Sequence, residues 1–151
     1  VNKLFSQGHA CIVGVGGDLP NTVDDAVGFA GCLRNSEAVA RFAQSYGSKI
    51  AVIPAGERWK EDGSLRPAFE DLVGAGAILS YLDGSLSPEA AIALQSFQAF
   101  RQDLLGHLQK CSSGKELITK DFASDVELAA AFNVSSCVLL FTDNAYRKQS
   151  V

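Results

Sequence analysis

Short apolar runs alternate along this chain with longer amphipathic stretches. Ala10-Cys11-Ile12-Val13-Gly14-Val15 carries no charge and is too short for a helix. It predicts a buried strand, closed by the turn formers Gly16-Gly17-Asp18-Leu19-Pro20-Asn21. Phe29-Ala30-Gly31-Cys32-Leu33 is a second strand candidate, interrupted by Gly31. Asn35 or Ser36 then caps a helix, with Glu37 in its first turn and Ala38, Val39, Phe42 and Ala43 as its apolar stripe. Ile50-Ala51-Val52-Ile53, closed by Pro54, reads as a buried parallel strand. Pro67 suits the first position of a helix reaching about Leu82. Its Gly74-Ala75-Gly76-Ala77 segment lowers helix propensity and predicts close packing on a neighbour. Ser87-Pro88-Glu89 opens an amphipathic helix running to His107 or Lys110. Ser113-Gly114-Lys115-Glu116 is a capping box ahead of Leu117-Ile118. Ser124-Asp125-Val126-Glu127 repeats the pattern ahead of Leu128 to Phe132, and Asn133 ends it. Cys137 to Phe141 predicts a final strand, followed by a peripheral tail over Thr142 to Ser150.

This order predicts an α/β fold: a layered α/β/α arrangement around a small, mostly parallel sheet, in one domain over residues 1–151. Three or four strands are few for such a sheet, so a partner or a further segment is expected to complete it. The 151 residues suffice for one core, and 47% hydrophobic with 20% charged residues excludes a disordered chain. A net charge of −4 argues against nucleic acid and anionic membranes, which need a basic face. No apolar run approaches the roughly 18–20 residues that span a bilayer, and no apolar signal core follows Lys3. A cytoplasmic location is expected. Cys11, Cys32, Cys111 and Cys137 form no C-x-x-C pair, and His9 and His107 lie far from zinc-ligand spacing. The cysteines are expected to be buried reduced thiols. Gly14-Val15-Gly16 begins like a dinucleotide fingerprint, but Leu19 stands where the third glycine belongs.

The densest charge cluster runs from Ala55 to Arg66, with Glu57, Arg58, Trp59, Lys60, Glu61 and Asp62 between Gly56 and Arg66. It directly follows a predicted strand, where α/β proteins place ligands. It is either a site or a solvated surface loop. Glu70 and Asp71 sit among Phe69, Leu72 and Val73, so at least one carboxylate is expected at the core edge. There it needs a cation, a donor or a raised pKa.

The run Ile53-Pro54-Ala55-Gly56-Glu57-Arg58-Trp59, continuing through Asp62-Gly63-Ser64-Leu65-Arg66-Pro67-Ala68-Phe69-Glu70-Asp71, resembles the ComB family of 2-phosphosulfolactate phosphatases. Leu33-Arg34-Asn35-Ser36-Glu37-Ala38-Val39-Ala40, Ser87-Pro88-Glu89-Ala90 and Cys111 to Leu117 are similar to further family segments. The resemblance covers about Phe29 to Asp143. It implies a Mg²⁺-dependent phosphatase of the kind used in coenzyme M biosynthesis. Its substrate would be a small phosphorylated sulfonate or 2-hydroxy acid. The family's N-terminal D-V-x-R-A-T segment is absent, and Thr22 follows Leu19-Pro20-Asn21 where glycine is usual. The alternative is therefore a catalytically inactive or truncated relative that serves as an anion-binding or assembly protein. A homo-oligomer pairing through an exposed sheet edge is a third reading.

Within the resemblance, Glu70 and Asp71 are the candidate catalytic carboxylates and Mg²⁺ ligands, or else helix N-terminal charges. Glu57 is a further carboxylate on the substrate side. Arg34, Arg58 and Arg66 are candidate clamps for phosphate or sulfonate, or else surface ion-pair partners. Asn35 either orients a phosphate oxygen or caps a helix, and Trp59 either covers a pocket or packs.

Overall fold

The computed structural model describes residues 10–15, 26–143 and 145–149. The predicted turn over Gly16–Asn21 and the segment at Thr22 lie outside them. Strands β1 (Ala10–Val15), β2 (Ala26–Gly31) and β3 (Lys49–Pro54) are parallel, with β1 between the other two. Helix α1 (Ser36–Tyr46) connects β2 to β3 after a 3₁₀ turn over Leu33–Asn35. A two-stranded hairpin, β4 (Glu57–Arg58) and β5 (Leu65–Arg66), precedes α2 (Phe69–Leu79). Four more helices follow: α3 (Pro88–Phe100), α4 (Leu104–Lys110), α5 (Ser112–Thr119) and α6 (Ala123–Ala130). Strands β6 (Val138–Thr142) and β7 (Ala145–Gln149) complete a five-stranded sheet in the order β3-β1-β2-β6-β7. The fold is α/β, with a parallel core and an antiparallel flank.

Two apolar clusters share α2. On one side, Ala75 and Ile78 join Val39, Ala40 and Ala43 of α1 against Val15, Phe29 and Val138 of the sheet. On the other, Val73 and Ala77 meet Phe97, Leu104, Leu108 and Val126. Every residue from Val73 to Leu79 is buried, as expected of a helix that is apolar all round. The small residues permit this. A Cβ on Gly74 would stand 2.8 Å from Val15 Cγ1, and one on Gly76 would overlap the Ala93 carbonyl oxygen of α3.

Several expected boundaries move. The tail after Thr142 is a strand, because β7 pairs with β6 from Thr142↔Ala145 to Val138↔Gln149. The helix from Pro88 breaks at a 3₁₀ turn over Arg101–Asp103, and Asp103 then caps α4 by accepting from the Gly106 N–H at 3.0 Å. Pro67 stands outside α2, whose N-cap is Ala68. Cys111 replaces Ser113 as the cap of α5, its sulfur accepting from the Gly114 N–H at 3.4 Å. α6 begins at Ala123, before Ser124. Cys32 is exposed at the end of β2 instead of buried, while Cys111 and Cys137 are half-buried free thiols. No helix among the described residues is long and apolar enough to cross a membrane.

Candidate active site

The charge cluster folds back on itself as a hairpin. Asp62 Oδ1 accepts from the Ser64 N–H at 2.9 Å and from its hydroxyl at 2.7 Å, while the Gly63 N–H donates to the Trp59 carbonyl at 2.8 Å. Arg58 Nη1 donates to the Gly63 carbonyl at 2.9 Å. At the hairpin's base, Gly56 has φ +75°, and a Cβ there would stand 2.9 Å from the Arg66 carbonyl oxygen. Both facts require glycine. The Ala55 N–H donates to the Val15 carbonyl at 2.8 Å, which fixes the base to the carboxyl end of β1.

Register places Glu57 opposite Arg66 and Arg58 opposite Leu65. Arg66 is buried, yet its guanidinium is charged. It lies over the Trp59 ring, 5.3 Å from the centroid, and its Nη1 meets Glu116 Oε1 of α5 at 3.2 Å. Glu70 accepts a long contact from the Cys111 thiol, with Sγ to Oε2 at 3.6 Å. Burial pushes the Cys111 thiol up from its ordinary range, with Glu70 adding to the effect, so Cys111 stays protonated.

Asp71 faces another way. Neighbouring residues on a helix point about 100° apart, so Glu70 turns toward α5 while Asp71 turns toward the sheet edge. Asp71 is buried, and its Oδ2 accepts from the Gly56 N–H at 2.7 Å. Burial raises its pKa to about 6, Glu70 and Glu57 add to the rise, and the Gly56 hydrogen bond opposes it. This is the core-edge carboxylate anticipated from the sequence.

Two clefts open here. The larger, about 640 Å³, is walled by the hairpin and α5 and is lined by Glu57, Arg58, Lys60, Arg66, Glu70 and Lys120 among others. The smaller, about 360 Å³, lies between α2, α4 and α5, with His107 and Lys110. Arg66, Glu70 and Ser113 line both. The fold thus brings Glu57, Arg58, Arg66 and Glu70 together, with Asp71 directly behind at Gly56.

Arg34 and Asn35 line neither cleft. Arg34 Nη1 donates to the Leu128 carbonyl of α6 at 2.6 Å. Asn35 neither caps α1 with its side chain nor faces open space. Its Oδ1 accepts from the Cys32 N–H at 2.8 Å, and its Nδ2 donates to the carbonyls of Cys137 at 2.9 Å and Ala30 at 3.4 Å. The cap of α1 comes from Asn133, whose Oδ1 accepts from the Ser36 hydroxyl at 2.7 Å and the Glu37 N–H at 3.0 Å. Sequence reasoning missed Glu116, Lys120, His107 and Lys110. Each lies more than 35 residues beyond the hairpin, and no local pattern links them to it.

Among the described residues, no group of three or more His, Cys, Asp or Glu stands close enough to hold a metal ion unaided. Mg²⁺ asks for less, since one or two carboxylates with waters and substrate phosphate complete its octahedron. Glu57 and Glu70 are carboxylates of this kind, and they line the larger cleft with Glu61 and Glu116.

A family model for 2-phosphosulpholactate phosphatase matches residues 23–144. A probable 2-phosphosulfolactate phosphatase of Pseudothermotoga lettingae is 27% identical over 123 residues, 81% of this chain and 52% of that protein. The 2-phosphosulfolactate phosphatase of Methanothermobacter thermautotrophicus is 28% identical over 113 residues, 75% of this chain and 47% of that protein. A probable 2-phosphosulfolactate phosphatase of a Cyanothece strain is 34% identical over 116 residues, 70% of this chain and 45% of that protein. The chain spans about half the length of the curated relatives it matches.

Proposed function

We propose that this chain, which belongs to the 2-phosphosulpholactate phosphatase family, binds and hydrolyses a small phosphorylated sulfonate or 2-hydroxy acid in the cleft between the hairpin and α5. The observation that carries the reading is Arg66. A guanidinium held nine-tenths buried between an indole face and a single carboxylate, at the wall of an open cleft, suits recognition of a compact anion.

Arg66 binds the anionic group, and Arg58 and Lys60 on the hairpin add charge on the solvent side. Glu70 and Glu57 would hold Mg²⁺, which when bound would neutralise phosphoryl oxygens and lower the pKa of coordinated water. Asp71 holds a proton at its carboxyl group up to about pH 6 and fixes the hairpin base through the Gly56 N–H. The resemblance suggested Glu70 and Asp71 as the metal pair. Glu70 keeps that role, while Asp71 is the proton holder behind the cleft.

The test is release of inorganic phosphate from 2-phosphosulfolactate and 2-phospholactate by the purified chain, with Mg²⁺ and with EDTA. We expect turnover that needs the metal and that falls about 100-fold or more in Glu70→Gln and Arg66→Gln. Turnover indifferent to EDTA, or undiminished in Glu70→Gln, refutes the site assignment. A folded chain that binds phosphate but releases none from either ester refutes the hydrolytic reading and leaves an anion-binding module.

A further inference from the structure

We infer that Glu116 is a resident counter-ion for Arg66 that a ligand's anionic group displaces, so that it sets the anion affinity of the cleft. This rests on the reading of that cleft as an anion site.

The two partners are unequal. The Arg66 side chain is only 10% exposed, whereas that of Glu116 is 48% exposed. Arg66 is fixed three ways: its backbone pairs with Glu57 in the hairpin, its guanidinium lies on Trp59, and Pro67 follows it. Glu116 projects from α5, lines the cleft and is half open to solvent. A buried guanidinium without an anion is costly. Glu116 meets that need through a single Nη1–Oε1 contact at 3.2 Å. A phosphate or sulfonate offers two oxygens to the same fork, a stronger and bidentate partner. The exchange trades one weak, half-solvated pair for a better one.

The other charges lining the larger cleft are the acidic Glu57, Glu61 and Glu70 and the basic Arg58, Lys60 and Lys120. They balance in sign. The charge that decides whether an anion gains or loses on entry is the one that already occupies Arg66. A strut and a competitor therefore predict opposite signs. If Glu116 holds Arg66 in place, its removal weakens anion binding. If Glu116 competes for Arg66, its removal strengthens it.

The experiment titrates inorganic phosphate and sulfate into the chain in EDTA by calorimetry, for the wild type, Glu116→Gln, Glu116→Ala and Arg66→Gln. Far-UV circular dichroism confirms each fold. Phosphate should bind the wild type, bind both Glu116 variants about fivefold more tightly, and be lost in Arg66→Gln. Equal or weaker binding in both Glu116 variants, with binding retained in the wild type, overturns the inference alone. Binding absent from the wild type and from both Glu116 variants overturns the anion-site reading and the inference with it.

Discussion

Replacing Asp71 with asparagine should stabilise the fold above neutral pH, and the gain should vanish in acid. The Asp71 pKa rises from the ordinary 3.8 to about 6 in the folded chain, chiefly through burial. Between those values the native state holds a proton that the unfolded state has lost. Stability therefore falls as pH rises from about 4 to about 6 and is level beyond. At about 1.4 kcal/mol per pH unit, the ionised side chain costs the fold ~3 kcal/mol at pH 8. Asparagine keeps an oxygen to accept from the Gly56 N–H, now at 2.7 Å. A neutral acceptor binds more weakly, which takes back about 1 kcal/mol. The net expectation is a gain of about 2 kcal/mol at pH 8 and none, or a small loss, at pH 4. Urea unfolding followed by far-UV circular dichroism at those two pH values measures it. A variant less stable than the wild type at pH 8 would refute the reasoning. It would mean that the Gly56 hydrogen bond outweighs burial and that the carboxylate is a net asset to the fold. Within the proposed function the same variant should lose phosphate release, so that the group which weakens the fold is one the site needs.

Three further outcomes follow from the packing. Gly76→Ala puts a methyl into the Ala93 carbonyl of α3 and should cost about 2–4 kcal/mol; an unchanged melting temperature would show that the helices part freely. Asn133→Ala removes partners of Ser36, Glu37 and Tyr81 together and should cost about 2–3 kcal/mol in urea unfolding, with Asn133→Asp costing less because it keeps the acceptor for Ser36 and Glu37; equal losses would remove α1 capping as the cause. Cys32, exposed at the end of β2, should give a fast phase with a thiol-reactive dye in the native chain; a fast phase that survives Cys32→Ser would place the reactive thiol elsewhere.

The elements legible in the sequence were those that carry their own boundary chemistry. Ser87 caps α3, its oxygen accepting from the Ala90 N–H at 3.2 Å, and Pro88 opens the helix as expected. Ile50–Ile53 is a parallel strand as its short uncharged run suggests, but it lies at the sheet edge and is half-buried where a buried strand was expected. Some boundaries differ by a residue or two for local reasons, such as the Cys111 cap of α5, while others are fixed from a distance. Nothing near Ser36 says that its helix is capped by Asn133, nearly a hundred residues later, or that Asn35 spends its amide on Cys32 and Cys137. β7 carries Tyr146, Arg147 and Lys148, polar enough to pass for a tail, and only β6 makes it a strand. The hairpin hid behind its own charge, since β4 and β5 are two residues each and have no periodicity to detect.

The division of labour within the candidate site also follows from helix geometry. Glu70 and Asp71 are adjacent and chemically alike, and both lie in the first turn of α2, where a carboxylate is favoured. One step of the helix separates them by about 100°. That rotation gives Glu70 to the clefts and Asp71 to the edge of the sheet. Gly56 then ties Asp71 to the residue just before Glu57, so that a proton gained or lost behind the cleft acts on the loop that forms its wall. The coupling is electrostatic as well as mechanical, since Glu57 and Glu70 both raise the Asp71 pKa. A cation held between Glu57 and Glu70 would screen both. Bound Mg²⁺ should therefore lower the Asp71 pKa and recover part of the stability that its ionisation costs. Metal and proton then compete for one carboxylate cluster, and protection of the fold by Mg²⁺ should be strongest above pH 6 and weaken in acid. Protection by Mg²⁺ that is equal at pH 8 and pH 5 would place the ion away from these carboxylates.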